Sequence, residues 1–304
     1  MTLRIALIGY GAVGSIHADQ LAAEPGVELR AVYGPKPEKS AAFASAHGIK
    51  GACTTIAEAL AGVDVAIVCS PSALHFQQAF ECLDHGVHTL VELPPCVTAA
   101  EAEALGEVAR RRGVLVGCAH TSRFVAPYAR IREIIRANVL GPLQEFDYIR
   151  HHQLRERSWE DNALLHHAAH PVDILLDWCG GLEPQGCVAM PDAPHARTVA
   201  LLAKLPSGGP ATITVSYTSR LPHIRMLVVG EHHTLETDGF TYLRSDLADL
   251  QFAGDAQQVY EQAIRDQDRE FLRACRGQGG FVPWEETLKL IRAMDRFQAH
   301  AARS

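Results

Sequence analysis

Three imidazoles stand close together in the chain at His166, His167 and His170, and a carboxylate follows at Asp173. An imidazole titrates near neutrality, so this grouping suits the removal of a proton from a substrate hydroxyl, a step worth about 10²–10⁴ in rate. We assign His170 as the general base, His166 to orienting the substrate and Asp173 to fixing the tautomer. On a helix, His166 and His170 share one face and Asp173 lies one turn beyond. A structural polar cluster and a metal site are the competing readings. The segment lacks the Glu of H-E-x-x-H and a clear third ligand, so no metal is assigned. Arg123 and Arg157 offer guanidinium forks that match substrate carboxylates; the bland reading is ion pairs between domains or surface positions. Arg150, Arg155, His151 and His152 add positive potential to the same region, which favours an anionic substrate over a neutral sugar.

A second constellation opens the chain. Gly9-Tyr10-Gly11-Ala12-Val13-Gly14 fits the dinucleotide fingerprint G-x-G-x-x-G. Gly9 permits the tight turn, Gly11 lets backbone approach a pyrophosphate, and Gly14 allows a helix to pack closely on a strand. The acid that usually binds the adenosine ribose is missing, because Tyr33 is followed by Gly34-Pro35-Lys36-Pro37. Lys36, helped by Lys39, attracts a 2′-phosphate, which favours NADP over NAD. If Lys36 is only a solvated loop lysine, either coenzyme binds. Cys69-Ser70-Pro71 and His75 follow a later apolar run, at a strand end where ligands bind in open parallel sheets; His75 is otherwise a solvent-facing residue at a helix start.

These residues need a scaffold, and the pattern supplies one. Apolar runs at Leu3–Gly9, Glu28–Tyr33, Val63–Ser70, His88–Glu92 and Val114–Cys118 alternate with helical stretches up to residue 120, which predicts a parallel sheet covered on both faces. Beyond it come helices at Phe124–Ala137 and Asn162–Trp178, neighbouring strand-like runs from Gln185 to Asp238, and two closing helices at Gln258–Arg276 and Trp284–Ala302. The predicted class is α/β: an N-terminal Rossmann domain over residues 1–120, then a C-terminal α+β domain over 121–304 built on a largely antiparallel open sheet, its last helix free to pack back toward the first domain. With 304 residues, 47% of them hydrophobic, the chain can bury two cores, and a net charge of −7 argues against nucleic acid. No apolar run reaches the roughly 18–20 residues of a membrane span, and the N-terminus enters a strand directly, so a cytoplasmic location is expected. Eight scattered cysteines, none in a C-x-x-C pair, are read as reduced thiols.

The fingerprint, the Ser70-Pro71-Ser72-x-x-His75 loop, Val91-Glu92-Leu93-Pro94, His120-x-x-Arg123-Phe124 and the segment carrying His170 and Asp173 together resemble the glucose–fructose oxidoreductase / inositol dehydrogenase (Gfo/Idh/MocA) family over nearly the whole chain. The resemblance implies an NAD(P)-dependent oxidoreductase acting on a CH–OH or hemiacetal group, with a dimer or tetramer formed through the C-terminal sheet. It also places Glu92 and Leu93 at the coenzyme. The family's Glu-Lys-Pro lysine, helix Asp and helix His fall on Leu93, His166 and His170, so two of the three are changed. Without an ammonium group to stabilise a developing alkoxide, a plain sugar hydroxyl is a poor substrate, whereas a hemiacetal hydroxyl is more acidic and its carbon releases hydride more readily. A narrower likeness, carried by Arg157-Ser158-Trp159-x-Asp161, His166 to Asp173, His120-Thr121-x-Arg123-Phe124 and Asp268-Arg269-Glu270-Phe271, is to the branch of the family that oxidises carboxylated semialdehydes of aromatic breakdown as cyclic hemiacetals. It implies an NADP-dependent enzyme forming a lactone or pyrone, with His120, Thr121, Arg123, Arg157, Trp159 and His167 contacting a small anionic substrate. A sugar or polyol dehydrogenase, or a non-catalytic NADP-binding regulator, are the alternatives.

Overall fold

The computed structural model describes residues 2–154, 162–248 and 250–302. It divides into two units. The first comprises residues 1–120 and 264–288, the second residues 121–263 and 289–304.

In the first unit, strands β1 (Leu3–Ile8), β2 (Val27–Tyr33), β3 (Gly51–Cys53), β4 (Val65–Val68), β5 (His88–Val91) and β6 (Val116–Cys118) form one parallel sheet in the order β3-β2-β1-β4-β5-β6. The connections are helices α1 (Ala12–Ala22), α2 (Pro37–His47), α3 (Ile56–Leu60), α4 (His75–Asp84) and α5 (Ala99–Arg112). Continuous apolar strands predict burial on both faces, and Ile5 to Ile8 are all fully buried. The chain reverses direction across the sheet between β1 and β4. In such a sheet the crevice for a dinucleotide lies beyond the carboxyl ends of these two strands, where Gly9 and Cys69 stand. Local signals set the helix ends: the Thr98 side chain accepts from the Glu101 amide at the start of α5, and Gly113, in the left-handed region at φ 68°, closes it.

Residues 264–288, which the sequence pattern assigned to the second domain, belong to this unit. The physical reason is a shared core, in which Phe271 and Leu272 are buried with Leu3, Leu21 and Ala119. Gly117 leaves room for the Phe271 and Phe281 rings, which a Cβ there would approach to 2.9 Å.

The second unit carries an eight-stranded sheet. Its strands are β7 (Leu143–Gln153), β8 (Glu183–Met190), β9 (Thr198–Lys204), β10 (Pro210–Ser219), β11 (His223–Gly230), β12 (Thr234–Thr237), β13 (Tyr242–Ser245) and β14 (Phe252–Ala253). The order is β14-β13-β12-β11-β7-β10-β9-β8, antiparallel except between β7 and β10. Alternation along β9 buries Val199, Leu201 and Ala203 and exposes Ala200, Leu202 and Lys204, so one face is covered and the other open. Helices α6 (Ala126–Arg136) and α7 (Ala169–Cys179) also belong to this unit. Trp178 of α7 meets Tyr128 and Phe146 edge-on, at ring centroid distances of 6.3 and 6.4 Å. The closing helices are α8 (Ala256–Cys275) and α9 (Trp284–Ala301), and the unit boundaries fall within both. Among the described residues, no helix is long and apolar enough to cross a membrane.

The helix expected from Asn162 is shorter than its periodicity suggested: α7 begins only at Ala169, and residues 163–168 are turns. Proline explains this. Pro171 has no amide hydrogen, so it is tolerated in a first turn but not in a helix interior, and a helix running through from residue 162 would put it there. The Asn162 side chain instead accepts from the amides of Leu164 and Leu165, holding the turn.

Candidate active site

The candidate coenzyme-binding residues lie in the first unit. Gly9 has φ 126°, and a Cβ on it would lie 2.7 Å from the backbone of Cys69 and Ser70. Only glycine permits this meeting of the β1 and β4 ends. Gly14 holds α1 against the strand end, its Cβ position lying 3.1 Å from Cys69 Sγ and 3.2 Å from Gly9 O. Gly11, the residue that opens α1, has open space where a side chain would be. A helix start with free amides beside open space is the cradle that a pyrophosphate needs, so these residues fit a dinucleotide. At the end of β2, Gly34 is packed against Tyr10, whose ring carbon would lie 1.9 Å from a Cβ. A side chain at that position would require the Tyr10 ring to move. Lys36 stands exposed at the start of α2, with Pro35 before it and Lys39 in the first turn.

His75 does not face solvent. It is 2% exposed, and its ring nitrogens lie 2.8 Å from Pro94 O and 2.7 Å from Ser70 O. It ties the Cys69-Ser70-Pro71 loop to the Glu92-Leu93-Pro94 motif, where the Leu93–Pro94 bond is cis. Leu93 is itself buried.

Sequence reasoning missed the strongest polar feature of this unit. His17 of α1 is fully buried and lies between two carboxylates, Nδ1 at 2.7 Å from Asp268 Oδ2 and Nε2 at 2.9 Å from Glu92 Oε1. Burial pulls its pKa down, but Asp268 and Glu92 outweigh that and hold it at about 10. The fingerprint helix, the Glu92 motif and the returning helix α8 are therefore joined by one buried cation. The signal was available. His17 continues the stripe Gly14, Ala18 and Leu21 on the buried face of α1, and a titratable ring at a core position demands a partner.

His120, expected to touch substrate, is fully buried in the first unit, with Nε2 2.9 Å from Thr287 Oγ1. It sits in the interior because it directly follows β6 and Ala119.

The proton-handling residues lie in the second unit. His166 and His167 occupy the turn before α7, and His170 is in its first turn. The cluster therefore forms by a turn packing on a helix start rather than along one helix face. Ring centroids are 4.2 Å apart for His166 and His167, and 6.0 Å for His170 to each of them. His166 Nδ1 lies 3.2 Å from the Tyr217 hydroxyl, and His170 Nδ1 lies 3.2 Å from Ser122 Oγ. His152 of β7 stacks on His167 at 4.0 Å. Burial, and then the electrostatic influence of His166, Arg150, His152 and His170, lower the His167 pKa well below the ordinary imidazole value, so this ring favours the neutral form. Ring nitrogens of His166, His167 and His170 lie within 4.8 Å of one another. The three imidazoles that the sequence placed close together in the chain are therefore close together in space as well. As placed, they suit proton transfer and hydrogen bonding to a substrate oxygen.

Two expected roles are corrected here. Asp173 was assigned to orienting His170 and Arg123 to a substrate carboxylate. They bind each other instead. Arg123 Nε donates to both Asp173 oxygens at 3.0 and 3.2 Å, and its terminal nitrogen donates to Oδ1 at 2.6 Å. Both residues are buried, at 6% and 1% exposure, and Asp177 adds a second carboxylate 3.6 Å away. Asp173 lies on the inner face of α7, so its charge needs a cation there, and Arg123 in the turn Thr121–Phe124 provides it. Thr121 is buried in the same turn. Arg157 and Trp159 lie outside the described residues.

Comparison with known proteins identifies the family. Residues 3–120 match an oxidoreductase family with an NAD-binding Rossmann fold. Across 90% of its length the chain is 31% identical to the 4-carboxy-2-hydroxymuconate-6-semialdehyde dehydrogenase of Sphingobium sp. SYK-6, covering 90% of that protein. In fold it is similar to UDP-N-acetylglucosamine 3-dehydrogenase from Acidithiobacillus ferrooxidans, with a TM-score of 0.85 and 22% identity over 100% of this chain and 99% of the other. It is also similar to GenD2 from gentamicin A biosynthesis, solved in complex with NAD, with a TM-score of 0.87 and 19% identity over 99% and 94% of the two chains.

Proposed function

We infer the reaction from one premise: this chain belongs to the Gfo/Idh/MocA oxidoreductase family, and is a dehydrogenase acting on an alcohol or aldehyde group. From that premise we propose an NADP-dependent enzyme that oxidises a carboxylated semialdehyde, in its cyclic hemiacetal form, to a lactone or pyrone. A compound like 4-carboxy-2-hydroxymuconate-6-semialdehyde, from aromatic catabolism, is the substrate class. The observation that carries this reading is the imidazole cluster around His170, in a chain whose Glu92-Leu93-Pro94 motif has a buried leucine in place of a lysine. The family relative named for such a semialdehyde supports it.

When bound, the nicotinamide coenzyme supplies the acceptor for the hydride lost from the hemiacetal carbon. The chain's own residues supply the rest. His170 takes the hydroxyl proton, while Ser122 holds its Nδ1 side. His166, set by Tyr217, contacts the same substrate oxygen. The ring oxygen of the hemiacetal shares the positive charge that grows as hydride departs, so no ammonium group is needed at position 93. Glu92, anchored on His17, orders the Glu92-Leu93-Pro94 motif. The test is NADP reduction with semialdehydes from aromatic ring cleavage, using inositol and glucose as controls. Turnover of the carboxylated compounds supports the proposal. Turnover of the neutral polyols alone makes the chain a polyol dehydrogenase, and coenzyme binding without turnover of any of them makes it a regulator.

The NADP preference rests on Gly34, which stands at the end of β2 without a repelling carboxylate, and on Lys36 and Lys39 at the start of α2. Lys36→Asp is expected to lower the NADP:NAD ratio of kcat/KM by about tenfold or more, since charge-assisted contacts are worth about 1.5–3 kcal/mol. An unchanged ratio refutes the assignment. The open sheet face, with Val188, Met190 and Leu202 exposed, supports a homodimer or homotetramer formed there.

A further inference from the structure

Arg150 has the opposite situation to Arg123. Alternation along β7 puts it on the same face as Phe146, Tyr148 and His152. Its Nε is shut from solvent and has no hydrogen-bond partner. Among the described residues no carboxylate pairs with it; its neighbours are the hydroxyls of Tyr148, with which the guanidinium also hydrogen-bonds, and of Tyr128 and Tyr260. A guanidinium cannot shed its proton, and a buried charge without a counter-charge is costly. Such a group is retained when an anion comes to it. The imidazole cluster is close at hand: His152 lies two residues further along the same face, about 7 Å, and stacks directly on His167.

We propose that Arg150 is the carboxylate-binding residue of the substrate site, its planar fork receiving a carboxylate of the substrate beside His152 and His167. This deepens the carboxylated-substrate reading and rests on it. It also explains how the second unit can recognise an anion although the Arg123 fork is filled by Asp173.

The test uses isophthalate and its neutral diamide as probes, titrated calorimetrically into the full-length, NADP-loaded protein. Wild type binds isophthalate and discriminates against the diamide. Arg150→Gln and Arg150→Met lower isophthalate affinity by about 10- to 150-fold, the range expected for a charge-assisted hydrogen bond, and leave diamide binding unchanged. Thermal melts separate this role from a structural one. Arg150→Met melts no lower than wild type, because it removes an uncompensated charge, and isophthalate raises the Tm of wild type only. Equal isophthalate affinity in wild type and variants, absence of isophthalate binding to wild type, or a collapse of Tm in Arg150→Met overturns the proposal. The turnover assay keeps the two ideas apart. Arg150-dependent isophthalate binding without turnover of any carboxylated semialdehyde sinks the proposed reaction but keeps the anion site. Turnover with an unchanged KM in Arg150→Gln does the reverse.

Discussion

Replacing His170 with alanine is expected to lower kcat by about 10²–10⁴-fold, the usual worth of a positioned general base, while leaving NADP affinity within a few-fold of wild type. The two effects separate because His170 belongs to the second unit and the glycine cradle to the first. His170→Asn keeps a polar group within reach of Ser122 and should be almost as slow, because an amide cannot take the proton. A hemiacetal still ionises more easily than a sugar hydroxyl, so a residual rate that rises with pH is expected in both variants as solvent hydroxide takes over. Steady-state kinetics between pH 6 and 9 measure this. Normal turnover in His170→Ala removes the base assignment and moves attention to His166.

A second large effect is expected at a residue that touches no substrate. His17→Gln leaves Asp268 and Glu92 without their shared cation, and breaking a buried ion pair by removing one partner costs about 3–5 kcal/mol. The pH dependence has a definite sign. The folded pKa of about 10 is raised above the ordinary 6.5, so the stabilisation is complete below pH 6.5 and is lost as pH rises through 10. Denaturant unfolding of wild type should show stability falling across that window, and His17→Gln should lack the slope. Adding Asp268→Asn to His17→Gln should recover part of the loss, because the deeper of the two carboxylates is then neutral. A loss below about 1 kcal/mol, with the alkaline slope intact, refutes a charged His17.

The coenzyme half of the molecule was legible because its signals are local. A fingerprint must follow a strand and open a helix, and continuous apolar strands alternating with helices leave few alternatives to a doubly wound sheet. The second sheet was legible as a class, from its run of neighbouring strands. What stayed hidden was pairing over distance. His17 and Asp268 are 251 positions apart, and nothing near Asp268 marks it as the partner of a core histidine. Arg123 and Asp173 each looked like site residues because both are charged and near other polar groups in sequence. Burial decided otherwise: with 6% and 1% exposure, neither charge could stand without the other. The histidine cluster was found for a partly mistaken reason. Periodicity put His166 and His170 on one helix face, but Pro171 starts the helix late and the turn before it brings His167 into the group.

The central claim is that the oxidised group is a hemiacetal hydroxyl, labile enough for imidazole alone. The identity of the first product tests it most directly. A carboxylated ring-cleavage semialdehyde is mixed with enzyme and NADP, quenched within one turnover and analysed by mass spectrometry. Oxidation of the hemiacetal gives the lactone or pyrone as the first product, lighter by one water than the open-chain acid. Appearance of the open-chain acid before any lactone would mean that the hydrated aldehyde is the species oxidised, and would contradict the account.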